Sequence, residues 1–211
     1  MTDSIKAVTW DFGGVLLRTE NQGPRRTWER RLNLQPGELH DLVFQGETSR
    51  EATVGRASTA DIWRAIGLQF ELSETTLAEL RRDFWAGDRL DRELVEITRS
   101  LREHLKTALL SNAWPDLRAY LTEELAIGDA FDLLVISAEE GTAKPDKRIY
   151  QILLERLATQ PQECVFIDDR PDNVLAAADL GMHSILFEDR DQTLGELRGL
   201  LPEQLSQMIS S

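Results

Sequence analysis

The sequence predicts an α/β protein with a doubly wound parallel sheet and an inserted helical segment. Two observations support this prediction. Short apolar runs alternate with helical patterns over most of the chain, which is typical of parallel strands that are buried on both faces and joined by helices. One long stretch, residues 18–88, shows only helical periodicity. We therefore expect a core formed by residues 1–17 and 89–211, with a helical insertion, residues 18–88, after its first strand.

The charge and composition of the chain exclude several classes of partner. Its 211 residues include 24 Lys and Arg against 37 Asp and Glu, a formal net charge of −13, which disfavours binding to nucleic acid or to an anionic membrane. No apolar run approaches the ~18 residues that a membrane-spanning helix needs, and no signal pattern precedes the first strand. We therefore expect a cytoplasmic protein. The single cysteine, Cys164, lies in an apolar run and is interpreted as buried packing.

The first strand is predicted over residues 5–11, and it ends in Asp11, which Gly13 and Gly14 follow closely. A buried parallel strand that ends in this way delivers its carboxylate to the sheet edge where open α/β folds bind ligands. Glycines in the next turn let the backbone approach a ligand. In the alternative interpretation, Asp11 caps a helix and the glycines only form the turn. This stretch alone leaves the two interpretations about equal.

The helical pattern of residues 18–87 rests on apolar residues spaced three, four and seven apart. Breaks are expected at Pro36-Gly37 and at Gly67, and Ser58 and Ser73 are candidate N-caps. No strand pattern is found in this region. The apolar positions are Trp28, Leu32, Leu39, Leu42, Val43, Ile62, Trp63, Ile66, Leu77, Leu80 and Phe84.

From about residue 90 the alternation of helix and strand resumes. The apolar runs that predict strands are residues 107–110, 133–136, 164–167 and 183–187. Helices are predicted over about residues 90–104, 115–125, 145–158 and 171–180, and again at the C-terminus. Pro145 is expected to begin the helix over residues 145–158. Gly181 is expected to follow the last residue of the helix over residues 171–180.

Three of the predicted strands end in polar residues, namely Asp11, the pair Ser111-Asn112 and the pair Asp168-Asp169. In a doubly wound sheet these positions lie on one edge, and Lys144 precedes a helix at the same edge. Two carboxylates and a backbone carbonyl form a hard oxygen site that suits Mg²⁺. Asp11 could then attack phosphorus, with Ser111, Asn112 and Lys144 binding the phosphoryl oxygens.

Four segments in chain order resemble the motifs of the haloacid dehalogenase superfamily. They are residues 11–16 (DFGGVL), 110–112 (LSN), 141–146 (GTAKPD) and 166–173 (FIDDRPDN), and the helical turn over residues 174–181 is also similar. The resemblance implies a Rossmann-like core and a Mg²⁺-dependent hydrolase that acts on small phosphorylated metabolites. The insertion resembles, by position and pattern, the α-helical cap of that superfamily.

The resemblance also implies a role for each matching residue. Asp11 would be the nucleophile and a metal ligand, and Gly13 would offer its backbone carbonyl to the metal. Ser111 and Asn112 would hold phosphate, while Lys144 would steady both the phosphate and Asp11. In the acidic pair, Asp169 is expected to be the direct metal ligand, and Asp168, its near neighbour, is included as a further metal-site residue. Trp114, which closely follows the second motif, is a candidate for substrate contact, although packing is the commoner role of such a residue.

One position departs from the usual pattern of the superfamily. Its typical phosphatases carry a second aspartate two residues after the nucleophile as the general acid and base, and here that residue is Gly13. Because such proton transfer contributes ~10²–10⁴-fold, its loss predicts a slow enzyme unless another group or a good leaving group compensates. A glycine at this position also occurs in a branch that resembles small sugar-phosphate phosphatases.

Two alternatives remain open from the sequence. In a 2-haloacid dehalogenase Asp11 would attack carbon without a metal, although such a site has little reason to hold three carboxylates together. In a binding or regulatory protein, the phosphate site would remain while turnover was lost at Gly13. We expect a small phosphorylated molecule as partner. Neither the substrate nor the oligomeric state follows from the sequence.

Overall fold

The computed structural model describes residues 4–209 of the chain. Five parallel strands form its central sheet, in the order β5-β4-β1-β6-β7. Their bounds are β1 Ala7–Trp10, β4 Lys106–Ser111, β5 Leu133–Ile136, β6 Cys164–Asp168 and β7 His183–Leu186. The predicted α/β class with a parallel sheet is confirmed.

Helices cover both faces of the sheet because alternate residues of the central strands point to opposite sides. On one face Val8 and Trp10 join a large apolar cluster, and on the other Ala7 joins a second one. Strand β1 is buried along its whole length. The helices of this part of the chain are α6 Arg92–Arg102, α7 Leu117–Ala119, α8 Ser137–Glu140, α9 Lys147–Leu157, α10 Pro171–Ala178, α11 Arg190–Leu200 and α12 Glu203–Met208.

Five helices follow β1 and precede α6. They are α1 Gly23–Arg31, α2 Glu38–Gln45, α3 Glu47–Thr53, α4 Thr59–Gln69 and α5 Glu74–Trp85. Ser58 caps α4 through a reciprocal capping box with Asp61, and Ser73 caps α5, so both predicted N-caps are present. These helices share their own apolar cluster, which includes Trp28, Trp63 and Phe84.

Two short strands flank these helices, β2 Leu17–Thr19 and β3 Asp88–Leu90. They pair antiparallel, with Leu17 opposite Leu90 and Thr19 opposite Asp88. The expectation that no strand occurs in this stretch was wrong, because three residues are too few to show an alternating pattern. The division into a core (residues 1–17 and 89–211) and an insertion (residues 18–88) stays a prediction. Residues 1–3 and 210–211 of the predicted core lie outside the described part of the chain.

Two further local predictions differ from the structure. The helix expected over residues 115–125 is α7, of three residues, followed by a wide π-type turn at Tyr120–Glu124. Pro145 does not open α9, which begins at Lys147 with Asp146 as its N-cap. The Asp146 carboxylate accepts a hydrogen bond from the backbone N–H of Arg148, so a polar cap begins this helix instead of the proline. No helix within residues 4–209 is long and apolar enough to cross a membrane.

Candidate active site

The candidate site lies at the carboxyl ends of the three central strands of the sheet. Asp11 directly follows β1 and Asp168 ends β6, while Ser111 ends β4. The backbone N–H of Asp11 still bonds to the carbonyl of Ile167 at 2.8 Å, so the neighbouring strand fixes its position. Asp11, Ser111 and Asp168 are all buried. The sheet therefore brings the predicted residues together, as parallel strands with a common edge require.

The turn after Asp11 brings the backbone close to Asp169. Gly14 adopts a φ of 88°, and a Cβ there would lie 2.2 Å from Asp169 Oδ2, so only glycine fits. Gly13 differs, since a Cβ there would have no atom within 4 Å. The carbonyl oxygen of Gly13 accepts no hydrogen bond from any residue in the range 4–209. This oxygen is therefore available to a ligand.

Lys144 links the two buried carboxylates. Its Nζ lies 2.8 Å from Asp11 Oδ1 and 2.6 Å from Asp168 Oδ2, and it donates to the carbonyl oxygen of Leu110 at 2.8 Å. An ammonium group has three hydrogens, and three oxygens surround this one. Lys144 thus contacts both carboxylates, while its roles in steadying Asp11 and in binding phosphate stay predictions.

The two residues that end β4 behave differently from each other. The Asn112 side chain donates to the carbonyl of Lys144 and accepts from its N–H, both at 2.8 Å. Asn112 therefore fixes the backbone that carries Lys144. The buried Ser111 hydroxyl makes no hydrogen bond within the described part of the chain. The residue before it, Leu110, accepts a hydrogen bond from Lys144 through its carbonyl oxygen. Of the two, Ser111 is the one whose side chain is free to bind a ligand.

Asp168 and Asp169 also differ. Asp168 is fully buried and accepts hydrogen bonds from Lys144, from the Arg170 N–H at 2.8 Å, and from Asn173 Nδ2 at 3.0 Å to each oxygen. Asp169 is exposed, and its side chain accepts no bond from another residue in the range 4–209. The carboxylate of Asp168 is used in holding the site, whereas that of Asp169 is free.

Sequence reasoning missed the part that Asn173 and Tyr150 play here. Asn173 lies in the first turn of α10, and its side-chain amide reaches back to Asp168. The buried hydroxyl of Tyr150 donates to the Asn173 carbonyl at 2.9 Å. The sequence signal for this contact was the separation of five residues between Asp168 and Asn173. That separation places one residue at the end of a strand and the other in the first turn of the next helix.

Three carboxylates converge on one point of the site. Single oxygens of Asp11, Asp168 and Asp169 all lie within 4.8 Å of one another. Burial raises the pKa of Asp11 to about 7, with Lys144 opposing and Asp168 adding to the rise. Partial burial, then the charge of Asp168, raises the pKa of Asp169. One lysine among three carboxylates leaves an excess of negative charge, and such a donor set fits a hard divalent cation such as Mg²⁺.

The chain is similar to characterised proteins over most of its length. It is 30% identical to a sesquiterpene phosphatase from Aspergillus oryzae, covering 95% of this chain and 99% of that protein. It is 29% identical to bifunctional epoxide hydrolase 2 from Sus scrofa, covering 97% of this chain but only 40% of that much longer protein. A HAD-family enzyme from Bacteroides thetaiotaomicron, solved in complex with magnesium and inorganic phosphate, superposes with a TM-score of 0.74 at 19% identity, covering 90% of this chain and 99% of that one.

The family is established by the sequence as well as by the fold. The model of the haloacid dehalogenase-like hydrolases matches residues 5–181, which include every residue of the site described above. The resemblance predicted from the four motifs is thereby confirmed. The chain belongs to the haloacid dehalogenase-like hydrolases.

Proposed function

We propose that the protein is a Mg²⁺-dependent phosphatase-like hydrolase that acts on a small phosphorylated metabolite through an aspartyl-phosphate on Asp11. The observation that carries this proposal is the asymmetry of the Asp11 carboxylate. Its Oδ1 accepts from the Phe12 N–H at 2.7 Å and lies beside Lys144, whereas Oδ2 has no partner within residues 4–209. A nucleophile needs one oxygen held and the other open to the substrate.

The residues that would hold the metal follow from their unsatisfied oxygens. These are the backbone carbonyl of Gly13 and the carboxylate of Asp169. Asp11 is proposed as the third ligand through Oδ1, so that Oδ2 stays open to the substrate. Asp168, predicted as a further ligand, is instead proposed to hold Lys144, since four hydrogen bonds already occupy its oxygens. These residues would hold Mg²⁺, and the bound ion would supply positive charge that offsets the charge of the phosphoryl group. The magnesium in the Bacteroides relative is consistent with this assignment.

The phosphoryl group would bind between Ser111 and the nucleophile. The Ser111 hydroxyl would donate to a phosphoryl oxygen, and the charge of Lys144 would stabilise the phosphate from behind Asp11. Asp11 attacks phosphorus as the P–O bond to the leaving group breaks. Water then attacks the phosphorus of the aspartyl-phosphate, which releases inorganic phosphate and returns the free carboxylate. We assign Asn112, predicted to bind phosphate, to the positioning of Lys144 instead.

The insertion would act as a cap over this site. We propose that residues 18–88 exclude water from the site and choose the substrate. The phosphatase from Aspergillus, which is similar over nearly its full length, supports a small phosphorylated substrate.

The charge of the chain supports a small molecule as partner rather than a nucleic acid, because a strongly negative protein is repelled by the phosphates of nucleic acid.

Hydrolysis of p-nitrophenyl phosphate tests the proposal. This substrate has a good leaving group, so it tolerates the loss of a general acid at Gly13. We expect turnover that requires Mg²⁺ and falls at least about a thousandfold in Asp11→Asn. Asp179→Asn, which changes an exposed carboxylate at the end of α10, is the matched control and should retain activity.

Two results would contradict the proposal. Metal-independent release of halide from a 2-haloacid would favour a dehalogenase. Binding of Mg²⁺ and inorganic phosphate, lost in Asp11→Asn but without turnover of any aryl phosphate, would favour a binding or regulatory protein. The latter is the second candidate function because of Gly13, which leaves the leaving group without an evident proton donor.

A further inference from the structure

Three aromatic side chains meet where the helices between β2 and β3 contact the sheet. Phe44 of α2 stacks on Trp114, with ring centroids 5.5 Å apart and planes inclined by 24°. Trp85, at the end of α5, lies 5.8 Å from Phe44 and 6.1 Å from Trp114. We call Phe44, Trp85 and Trp114 the aromatic wall. Two of its members belong to the insertion, and one follows β4.

The aromatic wall begins close to the phosphate end of the proposed site. Trp114 is three residues beyond Ser111, and three residues span at most about 11 Å between Cα atoms. Between them, Asn112 binds both backbone polar groups of Lys144. The Ala113 N–H donates to Ser137 Oγ, so the loop that carries Trp114 is tied to the end of β5 as well. The position of the wall beside the site is therefore fixed by the core.

The aromatic wall presents uncovered apolar surface. Phe44 is 37% exposed although it contacts four other rings, including the imidazole of His40 at a centroid distance of 4.8 Å, and Trp85 is only half-buried. Phe84 and Trp63, which belong to the same apolar cluster, are 0% and 3% exposed. Packing within the insertion thus accounts for the inner rings but leaves part of Phe44 and Trp85 open. Large exposed aromatic surface of this kind marks binding sites.

The aromatic wall is also uncharged on its ring faces. Within residues 4–209, arginine or lysine lies over the rings of Phe84, Trp28, Phe166 and Phe187, but over none of the three wall rings. A sugar or another strongly polar group could gain hydrogen bonds only at the indole N–H groups of Trp85 and Trp114, because the ring faces offer no donor or acceptor for the water that it would lose. An apolar chain or ring would gain dispersion and area burial against these faces.

We propose that the aromatic wall binds the apolar part of the substrate, so that the substrate class is a phosphate monoester of an alcohol with a hydrocarbon chain or ring. This rests on the proposed function, because the phosphate end of the molecule would occupy the site at Asp11 and Ser111. Phe44 is then a specificity-determining residue, and the buried Trp114 positions it by stacking on its ring. Trp85 supports them from the end of α5, three residues before β3 begins.

Calorimetric titration with alkylphosphonates in the presence of Mg²⁺ tests the aromatic wall without requiring turnover. The probes are methyl-, butyl- and octylphosphonate, which share one head group and differ only in chain length. For the wild type we expect the affinity to rise about threefold per added methylene until the chain outgrows the wall. In Phe44→Ala and in Trp114→Ala this dependence on chain length should flatten, whereas Phe44→Leu should retain part of it.

Leu68→Ala is the matched control, since Leu68 is a 75% exposed apolar residue on α4 of the same insertion. It should keep the full chain-length dependence. The more exposed Phe44 keeps the test decisive if Trp114→Ala, at a buried position, does not fold. The proposed role of the aromatic wall would be contradicted if affinity did not depend on chain length in the wild type, or if Phe44→Ala left that dependence unchanged. Failure to bind methylphosphonate and to hydrolyse p-nitrophenyl phosphate would overturn the proposed function instead.

Discussion

The two sides of the site contrast in how their polar groups are satisfied. On the side of α9 and α10, Lys144, Asp168 and Asn173 form a buried group in which the hydrogen bonds are made within the protein; we call it the fixed side. On the side of the β1 turn, Asp11 Oδ2, the Gly13 carbonyl, Asp169 and the Ser111 hydroxyl have no partners within residues 4–209; we call it the open side. Gly13 and Asp169 are exposed and reach solvent, whereas Asp11 and Ser111 are buried, and buried polar groups normally have partners. A ligand is therefore expected at the open side, and the fixed side holds the residues of the open side in position.

Lys144→Met should have the largest effect, because it breaks the fixed side. Two buried carboxylates would lose their cation, and removing one partner of a buried ion pair typically costs about 3–5 kcal/mol of unfolding free energy. Urea denaturation at pH 7.5 measures the loss. Lys147→Met, at an exposed position three residues later, is the control and should change stability little. Equal stability of both variants would show that the fixed side is not a structural unit.

Gly13→Asp adds a carboxylate to the open side and should increase its difference from the fixed side. No atom lies within 4 Å of a Cβ at residue 13, so the new carboxylate can enter without collision and serve as the missing general acid. We expect kcat to rise about 10–100-fold for an alkyl phosphate and much less for p-nitrophenyl phosphate.

Gly14→Ala is the comparison variant for this change. Its Cβ would collide with Asp169, and its φ of 88° disfavours any side chain, so both stability and Mg²⁺ affinity should fall. A Gly13→Asp enzyme with no preference for the poorer leaving group would argue against proton transfer as the missing element.

Asp168→Asn and Asp169→Asn compare the two sides with the same chemical change. Asp168→Asn places an amide nitrogen among donors, which should lower the unfolding free energy by about 1–3 kcal/mol. Asp169→Asn should leave stability unchanged or slightly higher, since burial and Asp168 raise the pKa of this carboxyl, but weaken Mg²⁺ binding at least about tenfold. Thermal unfolding and Mg²⁺ titration measure the two effects. A reversal of the pattern would exchange the roles of these residues.

The pH dependence of Asp11→Asn is the smallest effect and is measured in metal-free protein. The pKa of Asp11 is raised from 3.8 to about 7 on folding, so its contribution to stability is fully present below about pH 4 and is lost as the pH rises through 7. Asp11→Asn removes this loss. The variant should match the wild type near pH 4 and be more stable than the wild type above pH 7.

Asp61→Asn on α4 provides a control of opposite sign. Hydrogen bonds from Ser58 lower the pKa of Asp61 to about 2, so its contribution is present above about pH 4 and is lost as the pH falls through 2. This variant should therefore be less stable than the wild type at neutral pH. If Asp11→Asn followed the same trend, the Asp11 carboxylate would be stabilised by folding rather than strained by it.

The sequence was sufficient to predict the sheet and the convergence of the site. Continuous apolar runs that end in Asp11, Ser111 and Asp168 identify parallel strands, and parallel strands share one ligand-binding edge. The sequence could not tell Asp168 from Asp169, because the difference arises from Asn173 and Lys144, which reach Asp168 from two other elements. Nor could it show that both polar atoms of Asn112 face the backbone of Lys144, since side-chain direction depends on tertiary packing. The strands β2 and β3 are too short to leave a pattern.

The pairing of β2 with β3 bears on how this fold can diversify. Thr19 and Asp88 face each other across the two strands, so the chain leaves the core and re-enters it at points about 5 Å apart. A tight turn of a few residues could close that gap, and so could a much longer segment, because closing a longer loop adds little entropic cost. If the five helices act as the proposed cap, they form an exchangeable module, and replacing them would change the choice of substrate while the residues at the edge of the sheet keep their geometry.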